Sequence, residues 1–543
     1  MRAVGTGRSV SATVLAIVIA VVVVVAAVGG AVAYVATRRP VTTTVTSTVV
    51  ATTTSVVTST LPVTTTTTTP ITSITFYSWW ATEGGIALDH VIEGFEKAYP
   101  GYTVVKEIIP GAGGTNAKFV VLALMEAGKP PAAFQTDTGP MIVSYVLVAP
   151  QGARSFVNFT PIMMSMKGLW DEIVPAVLLA SAYNGTIPSA PIDVERGSLL
   201  FMNLKLLKEY GLPIPTNFSA LVYDTVQLAK HGVYPWMVPG ADGGWDQLNL
   251  WEDIFLALAV QQFGPAGGAR LYNEIVYGTL DLSNATILKL INETDYWFLN
   301  FTSYDYPGWQ SLTWTEGLTD LIEGKAAFMV NGNWVPPYAY DYDNTTIYPA
   351  VEPYVGWSNV SVVDEPFPGT QDVYAICIGS IGVPAGFPTT PLGVMFAEYF
   401  MSYQGQIEWS TWKAVPLYKN ATSPEWWSFA PARYYDWEQL TSTPTDDFVW
   451  WMPDGGTFAD VFGGWISQLL TLQEVGSSYI PTYNAQLASL LHEECTEWYS
   501  VAKIGLGYLG MPGHPFDGYY PPWVIASANA VNESYVCPTY TLP

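Results

Sequence analysis

"ITFYSWWATEGG", Ile74 to Gly85, is the stretch from which the fold can be read. It alternates like a strand, then ends on two adjacent tryptophans, an acid and two glycines. Consecutive strand residues point to opposite faces, so a core takes one ring and leaves the other to face something else. The chain then alternates strand and helix. "IALDHVIEGFEKAY" carries Leu88, Val91, Ile92 and Phe95 at helical spacing and stops at Pro100-Gly101. "YTVVKEII" reads as a second strand, "NAKFVVLALMEAG" as a second helix and "AAFQT" as a third strand. Crossovers this short predict a parallel sheet with right-handed connections. Ligands of open α/β sheets bind beyond the carboxyl ends of the strands. Those ends carry Trp79, Trp80 and Glu83, then Gly113 and Gly114, then Asp137. Aromatic faces, backbone amides and carboxylates on one edge suit a ligand with apolar C–H faces and many hydroxyls.

The rest of the chain says where such an edge would work. A length of 543 residues suits two or three domains. A formal charge of −25, with only 12% charged residues, argues against nucleic acid or an anionic membrane surface as partner. Val10 to Thr37 is uncharged and lies between Arg2 and Arg8 on one side and Arg38 and Arg39 on the other. Its roughly 28 residues are enough to cross a hydrocarbon core. Residues 1–39 are therefore read as an N-terminal transmembrane anchor or signal segment, with cleavage left open. Residues 40–73 are almost only Thr, Ser, Val and Pro, a disordered stalk that cannot bury a core. Downstream lie ten Asn-x-Ser/Thr sequons, at Asn158, Asn184, Asn217, Asn284, Asn292, Asn300, Asn344, Asn359, Asn420 and Asn532, which predict a glycosylated outer face. Cys377 sits in an apolar run and reads as a buried thiol, while Cys495 and Cys537 could form a disulfide in an oxidising exterior.

Later segments give the remaining landmarks. "GWDQLNLWEDIFLALAV" runs from a loop into a helix. "WTEGLTDLIEGKAAFMVNGNW" reads as a helix, a turn, a buried strand and a second turn bearing Asn333 and Trp334. The segments "ITFYSWWATEGG", "GAGGTNAK", "GKPPAAFQTDTG", "EGKAAFMVNGNW" and "PGTQDVYAICIGSIGVP" stand in an order and spacing that closely resemble the family 1 extracellular solute-binding proteins of ABC importers, above all the glucose-binding branch. The resemblance covers about 74–500, and the long N-terminal anchor with its Ser/Thr stalk resembles archaeal members.

The resemblance implies an α/β, two-lobed periplasmic-binding-protein-like fold with parallel-sheet lobes, a hinge and an interlobe cleft. Lobe 1 is placed at 74–193 and 364–400, lobe 2 at 194–363 and 401–543. It implies a sugar ligand, an ABC permease as partner, no cofactor and no catalysis. The family's paired tryptophans fall on Trp79 and Trp80, its sugar-stacking tryptophan on Trp334, the one opening the preceding helix on Trp314, and a late-loop lysine on Lys413. Trp80 is assigned chiefly to the ligand and Trp79 chiefly to the core. Three positions depart from the branch. Asp137 and Glu195 stand where it has histidines, and Gly379 where it has an aspartate in the strand after "PGTQ". The sugar class survives these changes, but glucose in particular does not follow. The expected contacts from lobe 1 are Trp80, Glu83 and Asp137; those from lobe 2 are Glu195, Trp314, Trp334 and Lys413, with Trp79, Gly113, Gly114 and Asn333 as further ligand-binding candidates.

Signals for an enzyme are poor. "GLGYLG" precedes a proline rather than a helix, and "HEECTEW" lacks a second histidine for a metal. A tethered glycoside hydrolase using paired carboxylates and a surface-layer or filament glycoprotein remain the alternatives.

Overall fold

The computed structural model describes residues 70–539 apart from 82, 112–113, 139, 167, 182–185, 352–359, 428–430, 453–458 and 505–535. The anchor, almost all of the Ser/Thr tract and the sequons at Asn184, Asn359 and Asn532 lie outside the described residues. No helix among the described residues is long and apolar enough to cross a membrane.

The strands are β1 (Ser73–Ser78), β2 (Thr103–Ile108), β3 (Ala133–Asp137), β4 (Ser189–Pro191), β5 (Glu195–Arg196), β6 (Leu199–Asn203) and β7 (Tyr234–Trp236), followed by β8 (Ala326–Asn331), β9 (Tyr348–Pro349), β10 (Val362–Pro366), β11 (Tyr374–Cys377), β12 (Gly379–Gly382) and β13 (Phe448–Trp450). They form three sheets, ordered β2-β1-β3-β12-β4, β7-β8-β6-β10-β9 and β13-β11-β5. The βαβαβ opening appears as read, with β1 parallel to both β2 and β3. Helix Glu83–Ala98 buries Leu88, Val91, Ile92 and Phe95, the set that its spacing selects. Each such side chain contributes about 1.5–3 kcal/mol of burial.

The larger sheets are mixed, which corrects the expectation of parallel-sheet lobes. β12 runs antiparallel to both β3 and β4, and β6 runs antiparallel to both β8 and β10. The reason is connectivity. The chain leaves the first sheet at β4, passes through the small sheet at β5 and enters the second at β6. It returns from β10 through β11 to β12. A strand arriving from another sheet enters from the opposite end to one delivered by a local helix crossover.

Two boundaries also move. Residues 362–366 pair with β6 along their whole length, so the return to the first sheet falls after β11, not at 364. Helix Tyr403–Ser410, assigned above to the second lobe, packs on helix Glu83–Ala98 of the first. Gly94 has no Cβ to obstruct Glu408 and Tyr399, and His90 stacks on Trp412 at 5.1 Å and 18°. Sequence periodicity cannot see this packing, because the partners lie some three hundred residues apart.

Cys495 and Cys537 are joined by a disulfide across a sequence separation of 42, and Cys377 is free and buried. In the chain-entropy description, closing a loop of that size stabilises by about 4 kcal/mol. Cys495→Ser should therefore lower the melting temperature of the oxidised protein markedly, and reductant should have little further effect on that variant, both read by calorimetry.

Candidate functional site

The carboxyl ends of β1, β2 and β3 meet as predicted, and local bonds fix what they present. Gln135 Oε1 accepts from Ser78 Oγ at 2.5 Å and from the Trp79 amide at 3.0 Å, while Ser78 Oγ accepts from the Trp80 amide at 3.1 Å. Gly114 has φ +90° and lies under the Trp79 ring, where a Cβ would meet the indole at 2.7 Å. A side chain at 114 would thus be strained and would also displace Trp79.

The two tryptophans take the opposite places from those expected. Trp80 is the buried ring, packed on Trp409 with centroids 4.4 Å apart, and Trp79 is the partly exposed one. The ring of Trp79 lies 5.0 Å from the Lys118 ammonium, which also pairs with Asp137 at 3.2 Å. The Glu83 side chain and Gly113 lie outside the described residues. Lys118 was not selected from the sequence, because a lysine within a helical run ordinarily faces solvent; here it is only 6% exposed.

A second cluster forms where the chain passes between sheets. Glu195 Oε1 lies 2.5 Å from Lys413 Nζ, and that ammonium sits 5.4 Å from the centre of the Trp334 ring. Trp334 packs on Trp451 at 5.0 Å and on Trp245 at 6.2 Å. Trp451 Nε1 donates to Asn249 Oδ1 at 2.6 Å. Trp245 and Trp451 were missed because their segments, "GGWDQ" and "VWWMP", carry no distinguishing spacing. Lys413 follows helix Tyr403–Ser410, so it arrives from the first-sheet side rather than from the second lobe. Val194 and Val415 exchange backbone bonds of 2.9 and 3.0 Å, which places Lys413 beside Glu195. Arg433 is buried and donates to the carbonyls of Ser410, Ala414 and Thr411, shaping the loop that presents Lys413.

Asp193 joins the two clusters. It is fully buried; Oδ1 accepts from the Gly379 amide at 2.9 Å and Oδ2 from Trp409 Nε1 at 2.7 Å. A Cβ at 379 would run into Asp193 Oδ1. Asp193 thus occupies the space that a side chain at 379 would need. Its carboxyl is pushed up to about 7, first by burial and then by Glu195, against the pull of Lys413 and the two hydrogen bonds. A continuous path results: Trp79, Trp80, Trp409, Asp193, the Glu195–Lys413 pair, then Trp334 with Trp451 and Trp245.

Two expected residues stand off that path. Asn333 is wholly buried, its amide donating to the Arg196 carbonyl at 3.0 Å and its side chain helping to hold Asp436. Arg196, on β5 of the small sheet, bonds Asp436 and Gln439 of helix Pro431–Ser442 and the Val373 carbonyl just before β11. Trp314 opens helix Trp314–Ile322, donates its amide to Asp242 at 2.7 Å and packs on Tyr338 at 5.0 Å. Among the described residues, no group of three or more His, Cys, Asp or Glu is arranged to hold a metal ion. The arrangement provides aromatic faces and two acid–ammonium pairs, each charge close to its complement. That chemistry suits a neutral polyhydroxylated ring better than an ion.

A chain that passes back and forth through a small sheet between two larger mixed sheets, with aromatic and paired polar side chains at the passage, defines an α/β solute-binding protein. A family profile described as "Bacterial extracellular solute-binding protein" matches residues 80–376, and the chain belongs to that family. The "Glucose-binding protein GlcS" of Saccharolobus solfataricus is 54% identical over 452 residues, 83% of this chain and 79% of that protein. The "Xylose/arabinose-binding protein XacG" of Haloferax volcanii is 22% identical over 367 residues, 66% of this chain and 72% of that one. A solved "Chitin oligosaccharide binding protein" superposes with a TM-score of 0.60 at 17% identity, covering 78% of this chain and 98% of its own. "Maltose bound T. maritima MalE3" gives 0.59 at 16% identity, covering 78% and 99%. These two share the fold.

Several other carboxylates resemble Asp193. Burial pushes Asp295 up to about 7 and Asp305 and Glu365 up to about 8, against hydrogen bonds that favour the charged form for the two aspartates. In the unfolded chain such groups ionise near 4. Between about pH 4 and 8 the folded state therefore holds protons that the unfolded state has released, so their contribution to stability is greatest in acid and declines as pH rises through that window. Each group contributes at most about 1.4 kcal/mol per pH unit. The melting temperature should fall from pH 5 to pH 8, and a flat or rising profile would contradict the burial of these acids. Gly379→Ala should weaken ligand binding and lower the melting temperature together, because displacing Asp193 releases Trp409.

Proposed function

We propose that this chain is an extracellular sugar receptor, held at the membrane by its N-terminal segment, that captures a carbohydrate between two lobes and passes it to an ABC importer permease. The observation that carries the reading is the path of tryptophans through the passage between sheets, with each acid–ammonium pair set beside a ring. The identity with a glucose-binding protein supports a hexose-sized ligand or a short oligosaccharide built from one. Stacking on Trp79 and Trp334 supplies apolar contact, while the Asp137–Lys118 and Glu195–Lys413 pairs accept from and donate to hydroxyls.

On this reading the lobes are the first and second sheets with their helices, and β5, β11 and β13 form the hinge. Open and closed forms interconvert, and a sugar that touches both lobes shifts the population to the closed one. The Ser/Thr tract keeps the receptor near its permease and raises the effective concentration. Sugar glycosylation of the outer face and an archaeal origin accord with the sequons and the anchor. The chain is a receptor rather than an enzyme: hydrolysis of a glycosidic bond calls for a free acid and a free base, whereas Asp137 and Glu195 each face an ammonium.

Titration calorimetry of the full chain against mono- and oligosaccharides should give saturable heat with at least one sugar, accompanied by a change in tryptophan fluorescence. Trp334→Ala should weaken that binding on the order of thirtyfold, about 2 kcal/mol. Because the ring is also buried against Trp451 and Trp245, the variant should melt at a lower temperature, and binding is compared where both proteins are folded. Lys413→Met should also weaken binding, because it leaves Glu195 charged and without its ammonium. Absence of heat with every sugar would sink the receptor reading, and slow product formation during titration would replace it with hydrolysis.

A further inference from the structure

Away from the tryptophan path, a cavity of about 320 Å³ opens between the segment containing Met166 and Glu172 and the segment from Ser402 to Asn420. The two segments are stitched together by main-chain bonds, Val174 N–H to the Leu417 carbonyl at 2.9 Å and Lys419 N–H to the Glu172 carbonyl at 2.7 Å. Tyr403 and Tyr418 line the cavity. Tyr403 is braced edge-to-face by Tyr418 at 5.5 Å and Trp426 at 5.0 Å, yet it remains 42% exposed. The ring is thus rigidly held and open to solvent. Polar lining comes from Glu172, Ser402 and Asn420, and no cation is among the described residues that line it. A volume of this size with one aromatic face and a few acceptors fits a single neutral pyranose.

Asn420 is itself the first residue of the sequon Asn420-Ala421-Thr422. Asn420 and Thr422 are exposed, Ala421 is buried, and the Thr422 amide donates back to the Asn420 carbonyl at 2.8 Å. The acceptor amide and the hydroxyl of the sequon are therefore both reachable, on a tight turn. Other sequons differ: the Asn217 and Asn284 side chains accept from the first turns of helices that they cap. Asn420 instead forms part of a cavity wall.

We infer that Asn420 carries an N-linked glycan whose first pyranose seats in this cavity against Tyr403, tying the 402–420 segment to the 166–172 segment. Attachment forms a bond from Asn420 Nδ2 to C1 of the sugar. The C1–O bond to a lipid-linked phosphate donor breaks, the phosphate leaves with the electron pair, and the amide proton passes to a base of the transferase. The attached sugar needs no affinity of its own in solution, because the covalent link fixes its concentration at the cavity. The inference requires only that this part of the chain lie outside the cell, and it does not depend on which sugar the receptor transports.

The test uses the full chain purified from a host that glycosylates it, compared with Thr422→Ala, which removes the sequon and leaves the cavity lining intact. Glycopeptide mass spectrometry should find Asn420 occupied. Amide hydrogen exchange across 402–420 should be slower than in Thr422→Ala on the order of fivefold. Tyr403→Ala should keep the glycan and lose the slowing. An unoccupied Asn420 in a protein whose Asn217 or Asn284 is glycosylated would overturn the inference. So would equal exchange rates with and without the glycan. If a free monosaccharide slowed exchange equally in Thr422→Ala, the cavity would be a free-saccharide site, which would overturn the inference that it serves the attached pyranose.

Discussion

The bond from the Gly379 amide to Asp193 ties together the two strands that carry the chain between its larger sheets. Asp193 lies between β4 and β5 on the outward pass, and Gly379 opens β12 on the return. Their approach depends on the absent Cβ at 379. The second oxygen of the same carboxyl holds the Trp409 indole, which packs on Trp80 at the end of β1. One buried acid thus sets the relation of the passing strands, the wall of the first cluster and the electrostatics of the Glu195–Lys413 pair. Replacing only one member of such a network leaves a buried polar group unsatisfied, a larger cost than the bond itself contributes.

Buried charge is handled sparingly here. The net charge is −25, yet Arg196 and Arg433 are both buried and used on carbonyls and on Asp436 at the small sheet. Burial pushes Arg433 down to about 9, which still leaves it charged in neutral water. Other interior acids, such as Asp295 and Glu365, are pushed up to about 7 and about 8 by burial, with no cation among the described residues beside them to pull them back. An interior with few basic partners favours protonated acids, because ionising an unpaired buried carboxyl costs several kcal/mol. The buried cations, Lys118, Arg196, Lys413 and Arg433, each lie beside a carboxylate or backbone carbonyls.

The sequence was most legible where interactions are local. Leu88, Val91, Ile92 and Phe95 form the buried face that their spacing indicates, and the helix–turn–strand order around Gly324 appears as read. The Trp79-Trp80 pair stands at the carboxyl edge of the first sheet as its sequence indicates, but alternation alone could not say which ring turned inward. Trp409, more than three hundred residues later, decided that by packing on Trp80. Lys118 escaped notice because its helix gave no sign that Asp137 and Trp79 would close over it. Trp245, Trp451 and Asp193 escaped because nothing local distinguishes a tryptophan or an aspartate at a passage from one in a core.

By itself the sequence determined the alternation of strands and helices, the sheet edge bearing aromatics and acids, and the family to which the chain belongs. These follow from short-range periodicity and from motifs whose order survives in one dimension. Only the tertiary structure decided that the sheets are mixed, that helix Tyr403–Ser410 sits with the first of them, and that Asp193 occupies the space opened by Gly379. Each of those outcomes rests on contacts between residues far apart in the chain, where the relevant quantity is the room left by one side chain for another.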